Sequence, residues 1–231
     1  TTDPSVENAI WGYTGIPYLM TNDVKISGNG THDDGICSSL IIKPDVTVNF
    51  ASGVGLNIDG TLTAVGEAAK PITFQKMPGA DWCFTLEADG SLEGPISLGY
   101  CNLVDLNSGI NIKAPSTAVT PPAITIDNCT IQGVSYQTSL KGKDITVTDS
   151  SFTGLGVNLE NSQNVTLTNC AITVTSGSLD GVIIENAENV TLQGCDITQS
   201  GACGADGVSI YYSRFVTLKN CLVAGFPDYG I

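Results

Sequence analysis

Arginine is almost absent from this chain: among 231 residues only Arg214 is one, and His32 is the single histidine. Charged residues make up 14%, against roughly 25% in ordinary soluble domains. Those present are mostly acidic, 23 Asp and Glu against 9 Lys and Arg, giving a formal net charge of −14. Nucleic-acid binding needs clustered cations that displace counterions from phosphates, so this balance argues against such a partner. Anionic membrane surfaces are disfavoured on the same ground. No run of about 18 apolar residues occurs, which leaves no helical segment able to insert in a bilayer. The eight cysteines include no C-x-x-C pair, and with one histidine they fit no zinc spacing. No spacing supports Ser-His-Asp catalysis either, because His32 lies in GTHDDGIC, near the N-terminus and outside the repeats.

What the chain does have is internal repetition. Six segments superimpose: ISLGYCNL from Ile96, ITIDNCTI from Ile124, ITVTDSSF from Ile145, VTLTNCAI from Val165, VTLQGCDI from Val190 and VTLKNCLV from Val216. Their first three positions alternate apolar, Thr or Ser, apolar, the period of a strand with one buried face. The fifth position is Asn128, Asp149, Asn169, Gly194 or Asn220, with Tyr100 the exception. Asn, Asp and Gly adopt the left-handed conformation most readily, so each segment reads as two short strands joined by a one-residue bend. Next comes a column of Cys101, Cys129, Ser150, Cys170, Cys195 and Cys221. These are expected to stack inward as small buried side chains rather than to do redox or metal chemistry.

A column of glycines follows: Gly109, Gly133, Gly156, Gly181, Gly207 and Gly230, spaced by 24, 23, 25, 26 and 23 residues. Alternating runs INIK, VSYQ, VNLE, VIIE and VSIY come after the first five. Three short strands in a repeat of about 24 residues make one coil of a single-stranded, right-handed parallel β-helix, an all-β solenoid. Upstream, LIIKPDVTVNF, GLNIDGTLTAV and PITFQ read as earlier strands. Residues 1–35 fit no coil and are expected to form an N-terminal cap, leaving 36–231 as one β-helix domain. No C-terminal cap is legible, which is expected of either a fragment of a longer protein or an open coil that stacks on another copy.

GLNIDGTLTAVGEAAKPITF, ITIDNCTIQG and VTLTNCAIT resemble the coils of right-handed parallel β-helix repeat proteins, the secreted and cell-surface solenoids of pectin-lyase-like shape. The resemblance covers roughly residues 39–231. It implies the fold more than an activity, since such proteins include adhesin-like surface proteins, polysaccharide lyases and glycoside hydrolases. It also implies where a substrate groove would lie, along the strands after the glycines.

The side chains of interest sit there. Asp180 and Asp206 precede column glycines, and Glu160 and Glu185 end neighbouring strands. Paired carboxylates can act as acid and base on a glycosidic bond, so these four are the catalytic candidates; Asp-Gly is equally a common turn dipeptide. With Asp228, Asp180 and Asp206 are also the candidate calcium ligands. Tyr211, Tyr212 and Arg214 are candidates for stacking on a sugar. In an exported protein a Cys37–Cys83 disulfide is expected to tie the N-terminal region to an early coil. Asn29, Asn128, Asn164 and Asn189 each begin an Asn-x-Thr sequence, the acceptor motif for N-glycosylation. A lyase would need a base and a cation for its uronate, and Arg214 has only Lys219 near it in sequence. The expected function is therefore a secreted or cell-surface structural or adhesive module without catalysis or cofactor, stacking end to end or contacting surface polysaccharide. A polysaccharide-active enzyme and a carbohydrate- or calcium-binding module are the alternatives.

Overall fold

The computed structural model describes residues 8–27, 38–80, 86–89, 92, 94–106, 109–113, 122–133, 136–175, 179–200 and 205–231. All regular structure among them is β-strand, arranged as three parallel sheets of nine, nine and eight strands. The chain visits the first, second and third sheet in turn and then starts again, so each strand hydrogen-bonds to its counterpart one coil away. This is a right-handed parallel β-helix, the hand that parallel crossovers adopt. Among the described residues no helix is long and apolar enough to cross a membrane.

The six superimposed segments pair in the register that their sequences imply. In the first sheet Ile96 pairs with Ile124, Ile124 with Ile145, Ile145 with Val165, Val165 with Val190 and Val190 with Val216. A slip of one residue would turn every apolar side chain to solvent, which is what fixes this register. Ile124, Ile126, Ile145, Val147, Val165, Leu167, Val190 and Leu192 are wholly buried. The second sheet contributes Phe74, Leu103, Ile131, Phe152, Ile172 and Ile197 to the same interior, and the third Leu56, Ile112, Leu140, Val157, Ile184 and Val208. The coils are not of equal length. Ile124, Ile145 and Val165 follow closely, whereas Leu62 reaches Ile96 only after a longer excursion.

Every bend residue between the first and second sheets from Tyr100 to Asn220 has positive φ, including Tyr100 at 47°. Two further left-handed columns were not legible in the sequence. Asn161, Asn186 and Tyr212 turn the chain out of the third sheet, and Asp144, Asn164, Asn189 and Phe215 lie just inside the first.

Two expectations are corrected. Within the region expected as a cap, the described residues 8–27 form a coil: Asn8–Trp11, Tyr18–Met20 and Val24–Ile26 each pair in parallel with the following coil, in the first, second and third sheet respectively. Ile10 and Leu19 point outward, 60% and 59% exposed, and so blur the apolar alternation by which the other strands are recognised. In the second case, the third-sheet strand of its coil does not follow Gly133 directly. That strand is Thr138–Lys141, with Thr138 level with Val157. A buried threonine, 1% exposed, occupies the inward position where an apolar residue marks the other coils.

Candidate functional site

The corner leading into the third sheet places Asp180, and one coil later Asp206, beside closely packed backbone. A Cβ on Gly181 would stand 2.6 Å from the Gly207 carbonyl oxygen, so only glycine lets successive coils approach here. Asp180 Oδ1 accepts the Asp206 backbone N–H at 3.0 Å, and Asp180 Oδ2 accepts the Ser209 hydroxyl at 2.5 Å. Asp206 repeats the arrangement, its Oδ1 accepting the Tyr229 N–H at 3.1 Å. Its Oδ2 lies 3.5 Å from the same Ser209 hydroxyl. The two carboxylates thus converge on Ser209, which is 4% exposed, while each also satisfies a backbone donor of the next coil. A buried donor without an acceptor is costly, so this use is structural in its own right.

Asp228 does not join them. Gly207 and Val208 donate their N–H groups to the carbonyls of Tyr229 and Gly230, which puts Tyr229, not Asp228, level with Asp206. Among the described residues no group of three or more His, Cys, Asp or Glu side chains is placed to hold a metal ion.

Glu160 and Glu185 lie on consecutive coils, Asn161 donating its N–H to the Glu185 carbonyl at 2.8 Å. They do not form a free pair. The Glu160 carboxylate makes a short ion pair with Lys141 and accepts the Asn161 amide at 3.0 Å. The Lys141 hydrogen bond holds the Glu160 carboxyl below the usual carboxylate range, against the opposing effect of burial. Both Glu160 oxygens thus already serve neighbouring side chains. Glu185 pairs in register with Tyr211.

Tyr211, Tyr212 and Arg214 surround the corner from the third sheet back to the first. Tyr211 is 50% exposed and Tyr212 87%, and Ser213 between them and Arg214 anchors the turn by donating to the Ile184 and Tyr211 carbonyls. Arg214 is engaged by Glu188 at 3.4 Å. The tyrosine rings are presented to solvent without a flanking free cation from Arg214.

The cysteine column is a second recurrent corner device. Cys101, Cys129, Cys170 and Cys195 are buried, as is Ser150, and Cys221 is half-buried. Cys101 Sγ reaches the Ala64 and Gly99 carbonyls at 3.2 and 3.4 Å, and Cys195 Sγ the Leu167 and Gln193 carbonyls at 3.5 and 3.6 Å. Ser150 makes the equivalent bond to Thr148 at 2.8 Å. Each side chain therefore serves a backbone carbonyl next to the left-handed bend. Cys101 and Cys170 are pushed above the usual thiol range by hydrogen bonds with the stacked thiols of Cys129 and Cys195, and by burial. Cys37, Cys83, His32 and Asn29 lie outside the described residues.

Sequence reasoning missed Ser209, Lys141 and Gln137, whose side-chain amide donates to the Asp180 carbonyl at 3.3 Å. Each becomes a partner only through the register between coils, and none carries a motif of its own.

No curated protein and no solved structure matches the chain. The family model described as the right-handed β-helix region matches residues 101–231, more than half of the sequence and the coils from the first column cysteine onward. By that match and by its three stacked parallel sheets, the chain belongs to the right-handed β-helix family.

Proposed function

We propose that this chain is a non-enzymatic module of an extracellular or cell-surface protein, with a structural or adhesive role and no cofactor. One observation carries the reading. Thr63, Ser97, Thr125, Thr146, Thr166, Thr191 and Thr217 form an unbroken outward column on the first sheet, one hydroxyl per coil. Stacked strands are about 4.8 Å apart, so the face is level and regular, the form of a contact surface rather than of a cleft. The engaged Asp180, Asp206 and Glu160 carboxylates support it further. Surface polysaccharide is the partner proposed for this face. End-to-end stacking on a second copy belongs to the same proposal.

The test is to locate the native protein by cell fractionation, and to measure adsorption of the purified chain to isolated surface polysaccharide. The reading expects an extracellular or surface fraction and adsorption without release of soluble sugar. A cytosolic location would overturn it.

A further inference from the structure

The three Asn-x-Thr sequences among the described residues, at Asn128, Asn164 and Asn189, are not equivalent once folded. Asn128 is half-buried, donates its amide to Asp127 at 2.9 Å, and is followed by the buried Cys129. Asn164 sits in the middle of a side-chain ladder: its amide donates to Asp144 at 2.8 Å, and its oxygen accepts the Asn189 amide at 3.1 Å. Its neighbours on both coils, about 4.8 Å away, are the short polar side chains of Asp144 and Asn189, which offer a sugar no apolar surface. Asn189 is exposed and ends the ladder. The residue level with it on the next coil is Phe215, since Glu188 pairs with Arg214 and Val190 with Val216.

Phe215 is itself unusual. It is 71% exposed and held at φ 56°, a conformation that a bulky aromatic residue rarely adopts. At this level of the preceding coils the left-handed residue is Asp144, Asn164 or Asn189, side chains suited to that backbone. A large apolar ring placed there, level with Asn189 on the next coil, provides a surface on which a sugar can stack.

We infer that Asn189 is an N-glycosylation acceptor and that Phe215 packs beneath its first sugar. The donor is a lipid-linked oligosaccharide diphosphate. A bond forms between Asn189 Nδ2 and the anomeric carbon, the bond from that carbon to the diphosphate oxygen breaks, and one amide proton is lost as the lipid diphosphate leaves. The substituted nitrogen keeps its second hydrogen, so the ladder bond to Asn164 can persist. The inference rests on the extracellular location proposed above.

The chain is to be secreted from a eukaryotic host, which supplies the donor and imposes export, and then mapped by glycopeptide mass spectrometry. The expected result is sugar on the Asn189 peptide, lost in Asn189→Gln, with Asn164 and Asn128 bare. Enzymatic removal of the sugar should lower the unfolding midpoint of the wild-type chain and leave that of Phe215→Ala unchanged. A secreted chain with Asn189 bare, or with sugar on Asn164 or Asn128 instead, overturns the assignment. A wild-type midpoint unmoved by sugar removal overturns the packing on Phe215. A cytosolic native protein whose Asn189 is occupied in the host would count against the location and not against the acceptor.

Discussion

Asp180 ties one coil to the next by accepting the backbone N–H of Asp206, its counterpart a full turn later, at 3.0 Å. Asp206 then does the same for Tyr229. Removing the acceptor leaves the Asp206 N–H and the buried Ser209 hydroxyl without this partner. Asp180→Ala should therefore lower stability by about 1–3 kcal/mol, while Asp180→Asn, which keeps an acceptor oxygen, should cost less. Denaturant midpoints of the two variants check this ordering.

The interior sets the larger part of the stability. Leu167 and Ile184 are fully buried and stack against Leu192 and Ile210 of the following coil. Each change to Ala should cost about 2–5 kcal/mol, through lost burial and the cavity left behind. A loss below about 1 kcal/mol at both sites, measured by equilibrium unfolding, would contradict the inward assignment.

The Cys101 and Cys170 thiols should be inert in the folded protein. Cys101 and Cys170 are buried and raised above the usual thiol range by the neighbouring thiol and by burial, so little thiolate is present to react. Labelling with a thiol reagent should proceed at these sites only on unfolding. Cys170→Ser should be tolerated, because Ser150 already serves the same position in the column.

Glu160 gives the acid limb a specific contributor. Its folded value lies below the ordinary 4.5, chiefly through the Lys141 hydrogen bond. A carboxylate lowered on folding contributes stability above its unfolded value, and that contribution is lost as pH falls through the folded one. Glu160→Gln and Lys141→Met should each flatten the decline of stability below about pH 4.5, seen as a smaller change in midpoint on acidification. The partly exposed pair should contribute modestly at neutral pH.

The sequence carried the first two sheets and their bend clearly, because Asn, Asp or Gly before a small Cys or Ser marks the same corner on coil after coil. The third sheet was less legible. Thr138 hides an inward position behind a polar side chain, and Val157–Asn158 is only two residues long. The first coil was hidden by the outward Ile10 and Leu19, which make the strands look unpatterned. The candidate site was legible only as residue types. That Asp180 faces Ser209, or Glu160 faces Lys141, depends on which residues lie level on neighbouring coils. Unequal connections shift that register by amounts that no local pattern records.

The central claim is that the outward carboxylates hold coils together rather than cleave a substrate. The most direct measurement is product release from a panel of neutral and acidic polysaccharides, followed as reducing ends and as unsaturated uronates. Wild type, Asp180→Asn and Asp206→Asn are to be compared after confirming that each is folded. The account predicts no turnover by any of the three and unaltered polysaccharide adsorption by both variants. Cleavage by the wild-type chain that either substitution abolishes would contradict it.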